Sequence, residues 1–268
     1  MYFSKLFRKK MDSCPICKSK DVMRLKNHED FPLSTIFWCP NCEYGFCNPM
    51  PDTTKLKQYY QSSYRNNDSF SESVAISRLT RAHAQLQFIE ETLGQQTKDT
   101  VFLDIGCGIG AVIHLLEKKG YYAFGVDEDP LAIDWGKKNL TTNIGHEVPP
   151  DFRKPDILLF SHVIEHFPDI TAALKKWKRT RYLFIEVPHA NKDVALSKPP
   201  VSHVHFFTPQ SLCYVLEAAG LHIRAMNTYG IPMTDYLANT LSKQKHEYFG
   251  DIRPAGDGTV IRLIAEWK

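Results

Sequence analysis

The chain has 268 residues, 43% of them apolar and 24% charged, enough apolar content for a sizeable core and too much for a disordered chain. No run of eighteen apolar residues occurs, which excludes a conventional membrane-spanning helix, and the first ten residues lack the apolar stretch of a secretory leader, so the expected location is the cytoplasm. Net charge is +3, yet Lys5, Arg8, Lys9 and Lys10 stand in a basic-aromatic arm, and the 29 cations after them face 30 acidic residues; the broad basic excess of a phosphate-gripping protein is absent, and nucleic acid is not the expected partner.

Residues 12–50 carry the first motif. Of seven cysteines, five precede residue 48, and Cys14-Pro-Ile-Cys17 and Cys39-Pro-Asn-Cys42 form two Cys-Pro-x-Cys pairs. Two such turns present four thiolates to one tetrahedral ion, with zinc the default and iron second. So short a segment cannot build an adequate core alone, so the metal is expected to supply much of its folding free energy. Cys47, Cys107 and Cys213 fall outside the pattern.

Residues 51–94 read as a helical connector. Ala75, Leu79, Ala82, Leu86, Ile89 and Leu93 recur at helical spacing and Gly94 ends the run, which predicts an amphipathic helix lying on the following domain. The preceding Tyr59–Tyr64 is a candidate lid.

A third unit spans 95–268. Val101–Ile105 reads as a buried strand, Gly106-Cys-Gly-Ile-Gly110 as a sharp turn, and Ala111–Lys119 as a helix stopped at Gly120. A second strand runs from Tyr121 to Val126 and ends in Asp127, where a carboxylate can accept two ribose hydroxyls. Asp104-x-Gly106-x-Gly108-x-Gly110 departs from the dinucleotide fingerprint, having no glycine three residues after Gly108. It resembles motif I of class I S-adenosylmethionine (SAM) methyltransferases, and Gly125-Val-Asp127 resembles their second, ribose-binding motif. Ile157–Phe160 with His162-Val-Ile-Glu-His166-Phe-Pro168 looks like the fourth strand and its exit turn, and Arg181–His189 like the fifth strand. His203-Val-His-Phe-Phe-Thr-Pro-Gln-Ser-Leu212 is similar to a segment of a bacterial methyltransferase subfamily, with Thr208 capping a helix and Pro209 at its first position.

The resemblance implies a doubly wound Rossmann-like α/β sheet of seven strands, the last pair (Leu221–Tyr229 and Thr259–Trp267) antiparallel, behind an N-terminal zinc ribbon. It implies a SAM-dependent methyltransferase. Asp104, Gly106, Cys107, Gly108, Gly110, Asp127, Glu128, Ser161 and His162 would bind the donor. The acceptor it implies is a small molecule, first a hydroxyl of a sugar or glycan precursor. An RNA methyltransferase gripping its substrate through the ribbon, and a non-catalytic SAM-fold docking protein, are the alternatives. The third strand, between Thr141 and Pro150, is poorly marked, and Glu147 is the candidate beside the adenine.

His162-Val-Ile-Glu-His166 also spells the inverted metalloprotease signature, which needs a continuous helix; following a buried strand and followed by Pro168, it does not suit one. A hydroxyl nucleophile calls for a base with a pKa near 7. His166 is the first candidate, His205 the second, with Glu165 beside them; His189 and His203 also flank the expected pocket. Glu165, His166 and His205 could hold a second divalent metal, but with no further carboxylate in reach a hydrogen-bonded wall is the expectation. The polar stretch 230–256 is expected to contribute to substrate recognition.

Overall fold

The computed structural model describes residues 13–62, 70–197, 202–232 and 256–268. The arm at 1–10, Tyr64 of the candidate lid and nearly all of the 230–256 stretch lie outside the described residues. None of the described helices is long and apolar enough to cross a membrane.

The larger sheet has seven strands: β4 (Val101–Ile105), β5 (Tyr122–Val126), β6 (Ile144–Gly145), β7 (Ile157–Ser161), β8 (Tyr182–Pro188), β10 (Leu221–Pro232) and β11 (Gly258–Trp267). Their order is β6-β5-β4-β7-β8-β11-β10. Neighbours from β6 to β8 run parallel, whereas β11 is antiparallel to both β8 and β10. The parallel strands are near-continuous apolar runs because helices cover both faces. The poorly marked third strand is β6, only two residues long.

Flanking helices start and stop where the sequence signals them. In α2 (Glu72–Leu93) Ser71 Oγ accepts the Val74 N–H, and Gly94 follows at a φ of 76°. In α7 (Pro209–Ala218) Thr208 and Ser211 form a reciprocal capping box. The others are α1 (Thr53–Ser62), α3 (Ala111–Lys118), α4 (Pro130–Asn139), α5 (Ile170–Lys175) and α6 (Lys192–Ser197).

The cysteine segment forms an antiparallel meander of β1 (Met23–Asn27), β2 (Thr35–Cys39) and β3 (Tyr44–Asn48). Its sheet does not end there. Strand β9 (His205–Phe207), from the far side of the chain, pairs antiparallel with β3, matching Tyr44 to Phe207 and Gly45 to Phe206. Cys14, Cys39, Cys42 and Tyr44 share one buried apolar cluster with Phe207, Leu158 and Leu183 of the larger domain. The ribbon is thus built into the larger domain rather than hung from it. A Cβ at Gly45 would lie 2.8 Å from Phe206 Cβ, so the join admits no side chain there. Gly45→Ala should destabilise the protein by about 1–3 kcal/mol, read as a lower midpoint in urea unfolding.

Candidate active site

The strand order reverses between β4 and β7, and in an open α/β sheet that switch point is where a crevice forms at the strands' carboxyl ends. A cleft of about 690 Å³ opens there, walled by α1, α2, the glycine turn and the loops after β5, β7 and β8.

The glycine turn is held by two donors, Gly106 N–H and Cys107 N–H, on the Val126 carbonyl at 2.7 and 3.0 Å. Gly106 has a φ of 74°, and a Cβ there would sit 2.3 Å from Val163 Cγ2, so both conformation and space demand glycine. Gly110 N-caps α3 at a φ of 78°. Asp127 receives N–H groups from Gly108 at 2.7 Å and Asp129 at 2.8 Å, which fix its carboxylate beside the turn. Asp104 is 2% exposed, and its Oδ1 has no hydrogen-bond partner among the described residues. Burial, and then the charge of Asp127, hold its carboxyl well above the usual range.

Beneath the cleft lies a buried charge pair. Glu186 and Arg262 face each other across β8 and β11, both 0% exposed, with Arg262 Nε 2.6 Å from Glu186 Oε2. Gln85 of α2 donates to Glu186 Oε1 at 2.6 Å and to Ser161 Oγ at 2.7 Å. Burial alone would raise the Glu186 carboxyl, but Arg262 and then His162 pull it far below the usual range.

On the opposite wall four residues converge after β7. His162 takes a φ of 57°, an uncommon conformation for a side chain with a Cβ, and Ile164–His166 form a single 3-10 turn, so the protease-like spelling is not on an α-helix. Glu165 Oε1 lies 3.7 Å from His162 Nδ1, 3.8 Å from His166 Nε2 and 3.8 Å from His203 Nε2. Both Glu165 oxygens are buried without a hydrogen-bond partner among the described residues, and burial pushes the carboxyl up to about 8. Burial likewise holds His166 down to about 4 and His203 well below its ordinary value, leaving both rings neutral at pH 7.

Asp104, Gly106, Cys107, Gly108, Asp127, Glu128, Ser161, His162 and His166 line the cleft. Gly110 shapes the turn without lining it, and Glu165 lies below the floor. His205 is the correction. Its Nε2–H donates to the Phe167 carbonyl at 2.7 Å, and its Nδ1 accepts from the Tyr44 hydroxyl at 2.5 Å. Both ring nitrogens are committed to the β3–β9 join, and His203 takes the expected position instead. Of the hydrogen-bonded wall expected there, His166 Nδ1–H donates to the Ser202 carbonyl at 3.2 Å, whereas the Glu165 carboxylate has no hydrogen bond among the described residues. Glu147 is exposed and outside the lining, whereas the adjacent His146 lines the cleft and meets the Asp127 carbonyl at 2.9 Å.

Sequence reasoning missed Gln85, Arg78 and Arg81 on the α2 wall, and the Glu186–Arg262 pair. The available signal was polarity out of place: Gln85 on an apolar helix stripe and two charges inside apolar strands.

The four ribbon thiols lie within 4.8 Å of one another, with Cys14–Cys42 and Cys17–Cys39 Sγ separations of 3.6 and 3.5 Å. Zinc–thiolate bonds of about 2.3 Å set tetrahedral sulfurs about 3.8 Å apart, so the set is able to hold such an ion.

The profile of a family described as a methyltransferase domain matches residues 77–225, more than half of the chain. No curated protein matches in sequence. Among solved structures, the chain is similar to magnesium protoporphyrin IX methyltransferase from Synechocystis PCC 6803 with bound SAH, at a TM-score of 0.52 and 11% identity over 81% of this chain and 100% of that one. It is similar to the plantazolicin methyltransferase BpumL in complex with SAH (TM-score 0.52, 15% identity, 80% and 94% coverage). A SAM-dependent methyltransferase from Archaeoglobus fulgidus gives 0.50, 17% identity, and 70% and 94% coverage. At these identities the likeness concerns the fold, the class I methyltransferase sheet.

Removing one member of the buried pair leaves an uncompensated charge. Arg262→Met should cost about 3–5 kcal/mol in urea unfolding, and adding Glu186→Gln should recover part of that loss.

Proposed function

The chain belongs to the methyltransferase-domain family, and we propose that it transfers a methyl group from SAM to a hydroxyl of a small molecule, a sugar or glycan precursor first. The observation that carries the reading is the junction of Asp104, the glycine turn and Asp127 at the switch point of the sheet, where Asp104 Oδ1 is buried with no hydrogen-bond partner among the described residues. A donor bearing an ammonium group answers that atom.

Asp104, Gly106, Cys107, Gly108 and Gly110 would hold the methionine part of the donor, and Asp127 and Glu128 its ribose. A carboxylate offers about four acceptor sites, so the two N–H groups that orient Asp127 do not exhaust it. Ser161 and His162 complete the donor side. Bound there, SAM supplies an electrophilic methyl carbon on a sulfonium that is already activated.

The residues of this chain therefore position and dry the reactants. A cleft of about 690 Å³ is the size of a small-molecule site and must take donor and acceptor together, which supports a compact acceptor. The segment similar to His203–Leu212 of the bacterial subfamily supports the sugar. His166 and Glu165, with His203 in place of His205, form the acceptor side. A histidine held near 4 is a weak base, so His166 orients the acceptor and excludes water more than it takes its proton. Cys14, Cys17, Cys39 and Cys42 would hold a structural zinc that fixes the β2–β3 hairpin under β9.

Saturating SAM at about 100-fold over its Kd should stabilise the protein by about 2.7 kcal/mol in a thermal melt, and Asp127→Ala should abolish the shift. An unmoved melt in millimolar SAM counts against the reading. Cys42→Ser should lower the zinc content by one equivalent per chain, by elemental analysis, and the melting temperature with it.

A further inference from the structure

Glu165 is the anomaly of the cleft. It is 1% exposed, and neither carboxylate oxygen finds a hydrogen-bond donor among the described residues. A buried acceptor left so is destabilising by about 1–3 kcal/mol or more. What surrounds Oε1 instead is three imidazole nitrogens at 3.7, 3.8 and 3.8 Å. Those gaps are too long for hydrogen bonds, yet a cation with bonds of about 2.1 Å separates tetrahedral ligand atoms by about 3.4 Å. The donor atoms of Glu165, His166 and His203 all lie within 4.8 Å of one another. Those three are within reach of one ion, and His162, outside that set, approaches it through Glu165 Oε1.

The rings are oriented as ligands are. His166 Nδ1–H donates to the Ser202 carbonyl at 3.2 Å, which turns the bare Nε2 toward Glu165. His162 Nδ1 faces Glu165 Oε1, while its Nε2 lies 3.3 Å from Glu186 Oε1 without a hydrogen bond among the described residues. A carbonyl partner on the outer ring nitrogen, as on His166, fixes the tautomer of a ligating histidine. His203 arrives on a segment pinned from the ribbon: Asp30 accepts the Ser202 N–H at 2.8 Å, a His28 ring nitrogen meets the His203 carbonyl at 2.9 Å, and Val204 accepts the Cys47 N–H at 2.9 Å.

We propose that Glu165, His166 and His203, joined by His162, bind a divalent first-row transition cation, Zn²⁺ as the reference ion, at the floor of the cleft. Three imidazoles among four donors suit such a borderline ion and not Mg²⁺, which favours oxygen. The histidines line the cleft while Glu165 lies below them, so the open coordination position faces the cavity, where it takes an oxygen of the acceptor. That last role rests on the methyltransferase reading; the metal site itself does not.

Full-length protein freed of metal and titrated with CoCl₂ should take up two equivalents. One shows the intense thiolate-to-cobalt band of the four-cysteine site, the other only the weak visible bands of nitrogen and oxygen ligands. Glu165→Gln and His203→Gln should each weaken the second equivalent by about tenfold or more while the thiolate band persists, which reports an intact ribbon. If wild-type protein takes up cobalt or zinc only at its thiolates, or if the second equivalent survives both substitutions, the proposal is overturned. SAM calorimetry on the same samples separates the two readings: two metal equivalents without SAM binding sink the methyltransferase reading and leave the metal site standing.

Discussion

Tyr44 donates its hydroxyl proton to His205, and His205 passes its own N–H to the Phe167 carbonyl, so a ribbon strand, a cleft-edge strand and the turn after β7 share one buried chain of hydrogen bonds. Everything at the acceptor wall follows from that chain. It sets the height of β9 against β3, and β9 sets where the preceding residues 202–204 cross the cleft floor. Phe206 packing on the bare face of Gly45 leaves no slack in the register. A four-cysteine hairpin some 160 residues upstream thereby determines where His203 meets Glu165.

Two buried glutamates, close together, show how environment divides one chemistry into two. Glu186 receives a guanidinium, an amide and an imidazole neighbour, and stays ionised in a site from which water is excluded. Glu165, equally buried, receives no hydrogen-bond donor among the described residues. In the first, a guanidinium and an amide hydrogen-bond the carboxylate and hold one arrangement. The second is a set of donor atoms facing a common centre, and it is the second that lies against the substrate-sized cavity.

The glycine-turn half of the cleft was legible because its determinants are local. A turn with positive φ at Gly106, Gly108 and Gly110 needs glycine at each, and a carboxylate at the end of the next strand lies beside that turn by the geometry of a parallel pair. Helix limits were legible for the same reason, since Ser71, Asp129 and Thr208 cap their own first turns. The wall after β7 was only partly so. His166 and Glu165 could be named from the turn after β7, but choosing between His203 and His205 required knowing where the pairing with β3 begins, since His205 lies in β9 and His203 in the loop before it. The third strand was obscure because only two residues of it pair.

The resemblance that its motifs carry implied the seven-stranded α/β class; by itself the sequence determined the four-thiol ribbon, the glycine turn with its two acidic neighbours, and the residues of the strand-four exit. Each is specified by steric and hydrogen-bonding rules that act within a few residues, so spacing alone carries them. Only the tertiary structure decided that the ribbon sheet continues into β9, that His205 is a strut while His203 reaches the cleft, and that Glu186 finds Arg262 while Glu165 is left to three imidazoles. Those outcomes depend on which distant strands pair and in what register, and burial then multiplies the consequence of every polar atom that the pairing satisfies or strands.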